Sequence, residues 1–154
     1  MLQGSRRHDH RSGHSRRPRD LCRLIFAIRR DPTSGCAARS NLALARAHGA
    51  LPDVLLEDLC SDAQQSAEKA IKAVLVHHQI EFPKTHVLAQ LLDLLAKHGV
   101  QSPEGVREAT RLSDYAVASR YVGMTEDVSE ADYAKAIELA TRVLDWAESV
   151  IASS

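Results

Sequence analysis

The stretch AQQSAEKAIKA, Ala63 to Ala73, sets long polar side chains among small apolar ones. Gln64, Glu68 and Lys72 stand four residues apart, as do Gln65 and Lys69, so each set meets on one side of a helix. Long polar groups gathered at this spacing can form a site. The same spacing also describes an ordinary solvated face, where such pairs add only about 0.2–0.5 kcal/mol each. Glu68 adjoins Ala67 on the apolar stripe, which puts it at a boundary rather than in open water.

Two further stretches carry chemistry. KTH, Lys84 to His86, offers an ammonium, a hydroxyl and an imidazole. Thr85 is a good N-cap, and a helix start attracts anions, so capping and phosphate binding both explain it. ASRYVG, Ala118 to Gly123, holds Arg120 and Tyr121. Arg120 either neutralises a helix C-terminus or grips a phosphate with both ends of its guanidinium, and Tyr121 packs with its hydroxyl at a rim. A metal site is not expected. His77 and His78 are adjacent, so on a helix they point about 100° apart, and no Cys-x-x-Cys or His-Glu-x-x-His motif is present. There is no glycine-rich phosphate loop and no nucleophile elbow.

The elements that must position these residues are all helices. A first helix is expected over about 36–48, with Leu42, Leu44 and Ala45 inward and Gly49 ending it. Pro52 and Asp53 open a long second helix to about residue 79, with an apolar stripe of Leu56, Leu59, Cys60, Ala63, Ala67, Ala70, Ile71, Val74 and Leu75. Pro83 breaks the chain, and a Leu-rich third helix follows over about 86–98, with His98-Gly99 as its C-terminal cap. Ser102 and Pro103 begin a fourth helix to about Tyr121, and Ser129 with Asp132 begins a fifth whose stripe runs Tyr133, Ile137, Ala140, Leu144, Ala147 and Ile151. No segment alternates like a strand. Short loops make the fold class all-α, an up-and-down bundle of four or five helices. The small residues of the second helix place it at the centre.

Charge divides the chain in two. Residues 1–31 hold nine Arg against three Asp, while residues 32–154 hold eleven Lys and Arg against seventeen Asp and Glu. The leader is Arg-, His- and Ser-rich and is expected to be disordered, as a basic arm, an inert tail or an over-extended start. The domain proper is 32–154. Its acidic balance disfavours generic binding to DNA or long RNA, although one local basic pocket remains compatible with it. Three cysteines without paired spacing fit free thiols in a reducing, cytoplasmic setting. No run is long and apolar enough for a membrane span.

Three blocks carry a resemblance: SNLALARA from Ser40, LLEDLCSDAQQSAEKAIKAVLVHHQIEFPKTHVLAQLLDLL from Leu55, and YAVASRYVG from Tyr115. In order and spacing they resemble the HEPN domain, a family found in higher eukaryotes and prokaryotes, over roughly residues 37–152. The resemblance implies an all-α bundle, usually a homodimer, that needs no cofactor. Prokaryotic members often stand beside a minimal nucleotidyltransferase in toxin–antitoxin or defence pairs. Some members are metal-independent ribonucleases using an Arg and a His a few residues apart. That pair is missing here. Arg107, Arg111 and Arg120 are followed by no His, since His98 is the last one, and such a spacing occurs in the leader, as at Arg7 and His14. Val87 also stands where similar sequences have an Asp beside the His, which removes a carboxylate that would orient His86.

The resemblance marks Gln64, Glu68, Lys69, His86, Arg120 and Tyr121 as shared polar features; Lys84 is added as part of the KTH stretch at the expected helix start. Three functions are expected in turn: a dimeric, nucleotide- or RNA-associated partner of a nucleotidyltransferase, a ribonuclease toxin using Arg120 and His86, and a structural helical module. Removing residues 1–31 is expected to change the unfolding free energy by no more than about 0.5 kcal/mol, checked by urea unfolding followed by circular dichroism.

Overall fold

The computed structural model describes residues 33–114 and 128–153, with side chains from Ala37 onward. Helix α1 covers Thr33–Ala45, and a 3-10 turn follows at His48–Ala50. Helix α2 covers Leu56–His77, α3 Leu88–Lys97, α4 Glu104–Arg107 and α5 Glu130–Ala152. The described residues contain helices and no strand, so the all-α bundle is the observed architecture.

Helix α2 is central because its small residues let two helices approach it. Ala63, Ala67, Ala70, Cys60, Ile71, Val74 and Leu75 are all buried, as the stripe requires. Both α1 and α5 pack extensively against α2, and α1 also meets α5. The approach of α1 is close enough for Ser66 Oγ to donate to the Ala38 carbonyl at 2.8 Å. Helices α1 and α5 run antiparallel, since Arg39 pairs with Glu148 while Tyr133 donates from its hydroxyl to the Ala45 carbonyl at 2.7 Å. Helix α3 contributes Leu88, Leu91, Leu92 and Leu95 to the same core.

Both α2 and α3 end in the same left-handed turn. Gly99 has φ +84°, and its neighbour Val100 donates back to the Leu95 carbonyl at 3.0 Å. At the end of α2 the left-handed residue is Gln79, with φ 58°, and Ile80 donates to the Leu75 carbonyl at 2.9 Å. A side chain in this conformation costs roughly 1–2 kcal/mol. Burial of Ile80 against the core helps offset it.

Several expected boundaries move. Helix α1 starts and ends about three residues early, and Leu44 faces solvent at 49% exposure while Leu42 and Ala45 are buried. Helix α2 starts at Leu56 because residues 51–54 form a turn closed by Val54 N–H to the Leu51 carbonyl. The fourth helix is interrupted, with a single α-helical turn running into a 3-10 segment at Glu108–Leu112. Pro103, not Ser102, is its N-cap, and the Ser102 hydroxyl is buried without a partner. The tighter turn still sends Val106, Ala109 and Leu112 into the core. In α5 the buried face is wider than the expected stripe. It adds Ala136, Leu139, Val143 and Trp146, while Ile151 is exposed at the helix end.

The capping box of α5 is complete. Ser129 Oγ accepts from the Asp132 N–H at 3.1 Å, and Asp132 returns a carboxylate oxygen to the Ser129 N–H at 3.1 Å. Ser129→Ala is expected to cost about 1 kcal/mol of stability, read from the urea midpoint at an unchanged m-value.

Candidate functional site

The left-handed turn at Gln79 reverses the chain, and residues 81–87 run back beside α2 without regular structure. Phe82 reaches Lys72, whose Nζ lies 5.7 Å from the ring centroid. His86 reaches Glu68, one helical turn earlier on α2. The descent of the returning segment thus matches that of the helix. Its path is held by Gln64, whose Nε2 donates to the His86 carbonyl at 3.2 Å.

At the centre is the carboxylate of Glu68, a buried residue. Lys72 Nζ donates to Oε1 at 2.7 Å, and Gln64 Nε2 donates to Oε2 at 3.1 Å. His86 Nδ1 lies 3.1 Å from both oxygens. Burial acts to raise the pKa of Glu68. The hydrogen bonds from Lys72, Gln64 and His86, with the Lys72 charge, outweigh burial and hold it below the usual carboxylate range. The side chains differ in access, Glu68 being 10% exposed and His86 68%. The imidazole is therefore the part of the cluster that faces solvent.

The remaining expected residues fall elsewhere. Lys69 lies about 100° around α2 from Glu68 and donates to Asn41 Oδ1 at 2.5 Å. Asn41 in turn donates to Asp62 Oδ1 at 2.6 Å. Lys69 thus ties α2 to α1 and is not part of the Glu68–His86 cluster. Lys84 is exposed and takes no part in the cluster. Arg120 and Tyr121 lie outside the described residues.

The start of α3 differs from the expected anion site. Its N-cap is Val87, and Thr85 stands two residues earlier. Thr85 Oγ1 accepts from the Val87 N–H at 3.1 Å and donates to Gln90 Oε1 at 3.0 Å. The Leu88 N–H is taken by Ser113 Oγ at 3.1 Å. These donors are spent inside the protein and are not offered to a phosphate.

Two residues of the cluster were not expected at the site. Lys72 was visible as the i,i+4 partner of Glu68, but spacing could not tell that pair from a solvated one. Phe82 gave no signal beyond its place before Pro83. The Cys60 thiol is a poor nucleophile. Burial first, then the charges of Asp132 and Glu57, push its pKa to about 11. Among the described residues no three His, Cys, Asp or Glu side chains gather in a way that would hold a metal ion, and no helix there is long and apolar enough to cross a membrane.

A lowered folded-state pKa has a definite sign. Between the folded and unfolded values the unfolded chain binds the extra proton, so stability rises with pH. The contribution of Glu68 is complete above the usual carboxylate range and is lost as pH falls through its lowered folded value. Glu68→Gln is expected to unfold with a shallower pH dependence across that acid range and to be less stable at pH 7, measured by urea unfolding at a series of pH values.

Neither a curated protein nor a solved structure matches the sequence at a significant level. The family model for the HEPN domain matches residues 36–150, which takes in the whole of α2, α3 and α4, most of α1 and α5, and the whole Glu68–His86 cluster. With most of its length covered, this chain belongs to the HEPN domain family.

Proposed function

We propose that this protein is a dimeric, nucleotide- or RNA-associated HEPN protein. Its partner is a minimal nucleotidyltransferase, in a toxin–antitoxin or defence pair of the cytoplasm. The observation that carries the ligand side of this reading is His86, exposed on a returning segment yet fixed at its inner nitrogen by Glu68. An exposed imidazole with one defined orientation is suited to meeting a ligand. Gln64 and Lys72 serve that arrangement rather than the ligand itself, since both donate to Glu68. The dimer and the nucleotidyltransferase are supported by the resemblance of the sequence to prokaryotic members of the family.

A second reading makes the protein a metal-independent ribonuclease with His86 as base. The specific observation in its favour is that Glu68 supplies the orienting carboxylate that Val87 cannot. Such a reaction also requires stabilisation of the charged phosphorane. Arg120 is the residue the sequence offers for that role.

Purified full chain is expected to scatter light as a dimer and to bind AMP or a short oligoribonucleotide. His86→Ala should weaken that binding by about 3- to 10-fold, the scale of one hydrogen bond, with its unfolding midpoint little changed. No cleavage of the oligoribonucleotide is expected. Cleavage that resists EDTA and disappears in both His86→Ala and Arg120→Ala would replace the binding reading with the ribonuclease one. Absence of binding and cleavage from a folded dimer would sink both.

A further inference from the structure

The two oxygens of Glu68 face N–H groups on every side the structure describes. A carboxylate is an acceptor only when ionised, with about four lone-pair positions. Lys72 occupies one on Oε1, Gln64 one on Oε2, and His86 Nδ1 approaches both oxygens at 3.1 Å. Lys72 has no acceptor to offer, and the Gln64 nitrogen is a donor to the His86 carbonyl as well. Nothing in this cluster allows Nδ1 to act as an acceptor, because a bare Nδ1 would set its lone pair against the carboxylate. The Nδ1 contact is therefore an N–H donated to Glu68. A neutral imidazole carries a proton on one nitrogen only, so the other is bare.

We infer that Glu68 is a positioning residue. It holds neutral His86 as the Nδ1–H tautomer and turns an unprotonated Nε2 outward as the proton acceptor of the site. This rests on the reading of His86 as the ligand-facing group, and it names the chemistry of what His86 meets. A bare Nε2 repels an unprotonated phosphate oxygen and accepts from a hydroxyl or an N–H. The ammonium groups of α2 do not reverse this preference. Lys72 is drawn onto Glu68 beside Phe82, and Lys69 is drawn onto Asn41. The ligand atom at Nε2 is a proton donor, and among nucleotide groups the ribose 2′-hydroxyl fits that role. Glu68 itself, with its lone pairs engaged, neither binds the ligand nor takes its proton.

The test begins without a ligand. Full chain labelled with 15N-histidine is examined by NMR near pH 9, about 2.5 units above the ordinary imidazole pKa, with His86 assigned by the signal lost in His86→Asn. The expected result is a protonated Nδ1 and a pyridine-like Nε2. Free neutral imidazole side chains favour the opposite tautomer, so Glu68→Gln, whose amide can donate as well as accept, should raise the Nε2–H form. A wild-type His86 protonated on Nε2, or a tautomer unchanged in Glu68→Gln, would overturn the inference.

A second readout separates positioning from bulk support of the fold. A short oligoribonucleotide and its 2′-deoxy counterpart are bound by wild type and by Glu68→Gln at the same pH. Wild type should prefer the ribo form, and the variant should narrow that preference by about 3- to 10-fold, the range of one hydrogen bond. Equal weakening of both probes would reject the hydroxyl assignment. If wild type binds neither probe, the functional reading fails, while the tautomer measurement still decides the role of Glu68.

Discussion

A buried carboxylate must be surrounded by donors, and this requirement organises one side of the molecule. Leaving Glu68 without them would cost several kcal/mol, so its neighbours are not free to vary independently. Two come from α2 itself, one turn before and one turn after, at Gln64 and Lys72. The third has to be brought from outside the helix. The left-handed turn at Gln79 and the unstructured return to His86 are what bring it. A non-glycine residue with positive φ is tolerated at that turn while both buried Ile80 and the Glu68 cluster hold the chain in place.

The answer to the polar crowding of the Ala63–Ala73 stretch is that its long side chains divide into three groups. Gln64, Glu68 and Lys72 face the returning segment. Lys69 faces α1 through Asn41. Gln65 alone is simply exposed. Spacing correctly paired Gln64 with Glu68 and Glu68 with Lys72. It could not say which pairs are buried, because that depends on which segment folds over them. His86 belongs to the cluster for the same reason, since no local pattern records that residue 86 returns to residue 68. The missing Asp beside His86 suggested an imidazole without orientation. The carboxylate was instead waiting eighteen residues upstream.

The fold was more legible than the site wherever one local preference acted unopposed. The small-residue stripe of α2, the Gly99 cap and the Ser129–Asp132 box each rest on a single strong constraint, and each was readable. Legibility failed where two signals competed. Ser102 and Thr85 are both good cap residues, yet Pro103 took the cap from one and the other closed a turn ahead of α3. Leu44 had the right character for the core but the wrong angle around α1. The break between α4 and the 3-10 segment left no mark in the sequence, because Glu108–Leu112 would serve equally well in a continuous helix.

Seen along the chain, the cluster from Gln64 to His86 is one uninterrupted stretch. Its long-range contact spans only eighteen residues. Closing so short a loop costs little entropy, and contacts of low sequence separation form early in folding. The imidazole can then find its carboxylate before α5, more than forty residues further on, has docked. Inheritance follows the same logic. A feature carried by one contiguous hairpin passes intact through exchange of the helices around it, whereas a site pieced together from distant segments is lost whenever one of them drifts.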